Sequence, residues 1–109
     1  MTTALARTIV PASDARDLEQ IRRLINERLR RFGARIFLYG SRARGTAGRS
    51  SDVDVAVLAD QPLPIDLLSR LREELEESPV RLPVEIMDLG EASPRLREQV
   101  LREGISWNA

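Results

Sequence analysis

The sequence predicts an α/β (α+β) domain in which a small mixed β-sheet carries flanking helices. Three observations predict it: segments with helical apolar spacing and capping residues, short β-branched or aromatic runs bounded by Gly, Pro or Ser, and an order that interleaves the two. At 109 residues, 42% hydrophobic, the chain can fill one core but not two. Residues 1–12 show no period and read as a tail, leaving 13–109 as a single domain whose strand order the sequence does not fix.

Each element has a local cause. Ser13 can cap a helix over about 14–31, with Asp14 and Asp17 favourable in its first turn. Leu18, Ile21, Leu24, Ile25 and Leu29 form its buried stripe, and Gly33 suits the residue just beyond its end. A β-type run over 35–39 (Ile36-Phe37-Leu38-Tyr39) stops at Gly40. The segment 41–51, with Gly45 and Gly48, reads as one helical turn and a loop. In the strand 52–58, Asp52, Asp54 and Ala56 share one face, while Val53, Val55 and Val57 point to the core.

Beyond the Pro62/Pro64 turn, a helix over 65–77 carries the stripe Ile65, Leu68, Leu71 and Leu75. Its acidic run, Glu73, Glu74, Glu76 and Glu77, reads as a solvated face rather than a metal site. Pro79 stops that helix, and 80–89 reads as a third strand, interrupted or edge-placed at Pro83. Ser93-Pro94 opens a last helix running to about Glu103, with Gly104 after it. Ile105-Ser106-Trp107 is either a terminal strand or an anchored tail.

Composition narrows the chemistry. There is no Cys and no His, and all 17 basic residues are Arg. Thiolate or imidazole metal sites, Ser-His-Asp triads and a Walker A loop with its Lys are therefore excluded. Catalysis would have to use carboxylates, hydroxyls, Arg, backbone N–H groups or a bound metal. The formal charge is zero, which argues against extended nucleic-acid binding, although Arg42, Arg44 and Arg49 cluster where an anion could sit. No 18-residue apolar run and no signal-type leader occur, so the expectation is a cytoplasmic protein without membrane contact.

The segment Leu38-Tyr39-Gly40-Ser41-Arg42-Ala43-Arg44-Gly45, followed by Asp52-Val53-Asp54, carries the functional signal. Strand residues i and i+2 share a face with Cβ atoms about 6–7 Å apart, twice the rise per residue. Two carboxylates so placed repel unless a cation lies between them, and Mg²⁺ accepts such oxygens while keeping water and phosphate ligands. A strand ending at Gly40, with Ser41 opening a helical turn, lets a phosphate approach the backbone, and Arg42 and Arg44 can add charge. A third carboxylate on a neighbouring strand is best sought at Glu85, because Val84 and Ile86 take the core parity. Asp88 falls on that parity too, near the strand end, where loop backbone is its expected partner.

These residues resemble the nucleotidyltransferase superfamily that includes DNA polymerase beta, and in particular its minimal nucleotidyltransferase (MNT) subgroup. The pattern of that superfamily is an apolar residue, Gly, Gly or Ser, a spacer, then Asp, apolar, Asp or Glu, apolar. It stands here as Tyr39-Gly40-Ser41 and Asp52-Val53-Asp54-Val55, and the Gly-Ser-Arg-Ala-Arg-Gly stretch matches the subgroup. The resemblance implies a polymerase beta palm-like fold and AMP transfer from ATP to a tyrosine of a HEPN-type helical toxin, the present chain being the antitoxin. It further implies Asp52, Asp54 and Glu85 as catalytic metal ligands for two Mg²⁺ ions, with Mn²⁺ as an alternative. Gly40, Ser41, Arg42 and Arg44 would bind the nucleotide. Glu85 stands where Asp is more usual in the family. An antitoxin or nucleotide-binding module that neutralises its partner by binding alone is the competing reading, and a hetero-oligomer or a homodimer is the expected assembly.

Overall fold

Ile21, Ile25 and Leu29 are buried along one stripe of helix α1 (Ala12–Leu29), with Leu18 and Leu24 packed at its margin. The computed structural model describes residues 12–48 and 51–109. The expected tail thus lies outside the described residues except for Ala12, which already belongs to α1, so Ser13 stands inside the first turn rather than ahead of it as a cap. The helix ends two residues earlier than its apolar spacing predicts, because Arg30–Phe32 tighten into a 3₁₀ turn. Gly33 closes that turn in the left-handed region (φ 62°, ψ 28°), its N–H donating to the Arg30 carbonyl.

The chain continues through β1 (Arg35–Tyr39), α2 (Ser41–Arg44), β2 (Val53–Leu58), α3 (Leu67–Glu77), β3 (Val84–Asp88), a 3₁₀ turn (Leu89–Glu91), α4 (Pro94–Glu103) and β4 (Ile105–Ser106). The sheet order is β3-β2-β1-β4. Strand β1 runs antiparallel to both β2 and β4, while β2 and β3 are parallel and joined by the α3 crossover. This is the mixed sheet with flanking helices that the sequence predicts.

Both faces of the sheet are packed, unequally. Ile36, Leu38, Val53, Val55, Val57 and Ile86 meet α1 and α3 in the main core. On the other face Ala56, Leu89 and Val100 of α4 form a smaller cluster bordered by Phe37, Tyr39, Leu58 and Met87. Asp54 and Glu85 share that second face; Asp54 is half-buried and Glu85 is exposed.

Two expectations about α3 and β3 need correction. Ile65 is 95% exposed and precedes the helix, because a turn in which the Leu67 N–H donates to the Pro64 carbonyl (3.1 Å) comes first. Leu67 packs against the core in its place. Strand β3 is also shorter than 80–89: Pro83 offers no N–H, its carbonyl accepts from Val53 (2.8 Å), and the ladder starts only at Val84. The edge placement holds, and Arg72 of α3 donates to the Ile86 carbonyl at 2.6 Å.

Glu74 is not simply solvated, since its carboxylate accepts from Arg28 Nε at 2.8 Å and ties α3 to α1. Ser93 caps α4 by accepting the Leu96 N–H, with Pro94 at the first helical position. After β4 the tail is anchored: Trp107 N–H donates to Ile36 O (2.7 Å), and the Asn108 amide bonds both Ile36 N–H (2.9 Å) and Ala34 O (3.0 Å). Among the described residues no helix is long and apolar enough to cross a membrane.

Candidate active site

The strand register places three side chains in one row. Tyr39 on β1 stands opposite Asp54 on β2, and Asp54 stands opposite Glu85 on β3. Asp52 lies just ahead of the ladder and is exposed, the last residue before Val53 enters the strand. The acidic pair and Glu85, identified from sequence parity, are therefore brought to one end of one sheet face.

Their charges are felt mutually. The Asp54 carboxyl is raised above its ordinary range, first by partial burial, then by the charges of Glu85 and Asp52, with Arg44 acting in the opposite direction. The Tyr39 phenol is raised as well, by burial and then by Asp54 and Glu85. Such a cluster disfavours its own negative charge and gains from a cation. Among the described residues no three acidic side chains converge into a closed cage. The donor set still fits Mg²⁺, which uses one or two carboxylates and completes its shell with water and phosphate oxygens.

Gly40 links this row to the turn that follows β1. Its backbone (φ 72°, ψ −153°) lies in a region essentially reserved for glycine. A Cβ there would also meet the Asp54 carboxylate, 3.2 Å from its Cγ. The Gly40 carbonyl accepts from the N–H groups of Ala43 and Arg44 (3.1 Å each), which starts the α2 turn at Ser41. Gly45 ends it in the left-handed region, and Thr46 N–H returns to Ser41 O at 2.9 Å.

The two arginines of the turn part company. Arg44 is exposed and makes no ion pair among the described residues, which leaves it available to an anion beside Asp54. Arg42 turns inward. Its side chain is 7% exposed, its Nε and Nη2 donate to the Ser51 carbonyl at 3.1 and 2.8 Å, and Nη2 lies 3.5 Å from Asp14 Oδ2. Arg42, expected to bind the nucleotide, makes an internal contact here. Arg49 lies outside the described residues.

Sequence reasoning missed Tyr39 and Asp14. Tyr39 joins the row through antiparallel pairing, which the strand pattern alone does not disclose. Asp14 carried a signal: it lies four residues before Leu18 and seven before Ile21, on the buried stripe of α1, and is 6% exposed.

The profile of the family Polymerase beta, Nucleotidyltransferase matches residues 19–106. The chain belongs to that family. It is 39% identical over 69 residues to the protein adenylyltransferase MntA of Shewanella oneidensis, covering 63% of this chain and 49% of that protein. It spans about half the length of the curated relatives it matches. A solved minimal nucleotidyltransferase superposes with a TM-score of 0.63 at 36% identity, covering 81% of this chain and 93% of the other. The structure of tri-AMPylated Shewanella oneidensis HEPN toxin in complex with MNT antitoxin matches with a TM-score of 0.58 at 27% identity, over 83% of this chain and 71% of that one.

Proposed function

We propose that this nucleotidyltransferase transfers AMP from ATP to a tyrosine hydroxyl of a HEPN-type helical partner, and that it acts as the antitoxin of that partner. The observation that carries the reading is the register pair Asp54–Glu85 beside the Gly40-Ser41 turn. Support comes from the likeness to a protein adenylyltransferase and to a complex of AMPylated HEPN toxin with MNT antitoxin.

On this reading Asp52 and Asp54 would hold Mg²⁺, and Glu85 would share a second ion; bound Mg²⁺ neutralises the phosphates and acidifies the acceptor hydroxyl. Gly40, lacking a Cβ, lets the Asp54 carboxylate lie against the turn that would take the phosphates, Ser41 offers a hydroxyl, and exposed Arg44 offers a guanidinium. Glu85, exposed at the rim, accepts the proton of the acceptor tyrosine. That oxygen attacks the α-phosphorus, the bond between the α-phosphorus and the bridging oxygen breaks, and pyrophosphate leaves. Positioning and charge stabilisation supply most of the catalysis. On this reading the protein acts in the cytoplasm, joined to its partner in a hetero-oligomer.

One observation favours a second reading. Glu85 stands where Asp is more usual in the family, a departure that an antitoxin acting by binding alone would tolerate. The test uses α-labelled ATP, Mg²⁺ and the HEPN partner: label on the partner, lost in Asp54→Asn, supports transfer. Protection from the toxin by Asp52→Ala/Asp54→Ala, without label, supports binding alone.

A further inference from the structure

We propose that Arg42 is a positioning residue that holds Asp52 at a fixed distance from the Gly40-Ser41 turn. The inference rests on the functional reading above and assigns Arg42 a task within the same site.

Asp54 is secured by strand pairing on both sides, to Tyr39 and to Glu85. Asp52 lies outside that ladder and needs other support. On its C-terminal side Val53 N–H is held by the Pro83 carbonyl at 2.8 Å. On its N-terminal side the Ser51 carbonyl receives both Nε and Nη2 of Arg42. That carbonyl belongs to the planar peptide whose nitrogen is that of Asp52, so fixing it fixes the plane from which Asp52 projects. Ser51 is held further by Gly48, whose N–H donates to Ser51 Oγ (2.8 Å) and whose carbonyl accepts the Ser51 N–H (3.2 Å).

Arg42 directly follows Ser41 in the chain. One side chain thus connects the phosphate-facing turn to the residue before Asp52, while Asp14 neutralises it from α1. A buried ion pair adds little net stability, because desolvation offsets the attraction. The guanidinium fork supplies geometry instead, and an ammonium cannot reproduce it.

Arg42→Lys tests this in the full-length chain, with Arg42→Ala as a second variant. The first readout is the backbone order parameter of Asp52, independent of activity. It should fall from about 0.85 toward 0.6, while Val55 in the ladder stays rigid. The second is the Mg²⁺ concentration giving half-maximal AMP transfer, which should rise about 10–100-fold, as for loss of an outer-shell partner of a metal ligand. In an Asp52→Asn background Arg42→Lys should add almost nothing. An unchanged order parameter at Asp52 overturns the proposal. So does a rise in KM for ATP without a change in Mg²⁺ requirement, which would make Arg42 a phosphate contact. A wild-type chain that transfers no AMP overturns the proposed function, and the order parameter then still decides whether Arg42 holds Asp52 in place.

Discussion

Gly40 and Asp54 fit together only because Gly40 has no side chain: an added Cβ would lie 3.4 Å from the Asp54 Cβ and closer still to its carboxylate. The end of β1 and the acidic strand are thereby brought to a spacing that no other residue at position 40 allows.

Gly40→Ala should therefore lower stability by about 1–3 kcal/mol from backbone strain alone, with the side-chain clash in addition. Chemical denaturation measures it. In an Asp54→Ala background the same change should cost less, since the clash is relieved and only the strain at φ 72° remains. Equal costs in both backgrounds would show that the two residues do not crowd one another.

The raised Asp54 carboxyl gives a pH dependence with a definite sign. Below its ordinary value of 3.8 the group is protonated in both folded and unfolded chains and contributes nothing. As pH rises through the interval from that value to the raised one, the folded chain holds its proton longer, so its stability falls relative to a chain without the group. Asp54→Asn should thus raise Tm, by more at pH 8 than at pH 4, and saturating Mg²⁺ should shrink the difference. A gain that is constant with pH would remove the electrostatic explanation.

Glu85 is exposed, so Glu85→Gln should leave stability within about 0.5 kcal/mol. The same change should lower the AMP-transfer rate by about 10²-fold or more if the carboxylate takes the acceptor proton. Glu85→Asp should retain much of the rate. Steady-state kinetics with the HEPN partner distinguish these outcomes, and full activity in Glu85→Gln would exclude Glu85 as the base.

Asn108→Ala removes two hydrogen bonds to the β1 edge and should cost about 1–2 kcal/mol in urea unfolding. Arg22 and Asn26 still hold the Trp107 carbonyl, so the tail should stay docked.

Much of this arrangement was legible in the sequence because the deciding patterns are short. Alternation around Val53, Val55 and Val57 separated the core from the acidic face, and Ser93-Pro94 marked the start of α4. The parity argument also separated Glu85 from Asp88, whose carboxylate accepts the Gly90 N–H at 2.9 Å in the following turn. What stayed hidden depended on partners distant in sequence. The inward turn of Arg42 needs Asp14, 28 residues earlier, and Ser51, and no local period announces either. Ile65 misled because its spacing to Leu68 is helical, while the prolines before it delay the helix to Leu67. The strand order rests on pairings between segments far apart, the terminal one being Phe37 with Ser106.

The most direct test of the central claim is the intact mass of the HEPN partner after incubation with this chain, ATP and Mg²⁺. The wild-type chain should add one or more AMP units to a tyrosine, and Asp52→Asn/Asp54→Asn should add none. A partner of unchanged mass that is nevertheless neutralised would contradict transfer and leave binding as the activity of the fold.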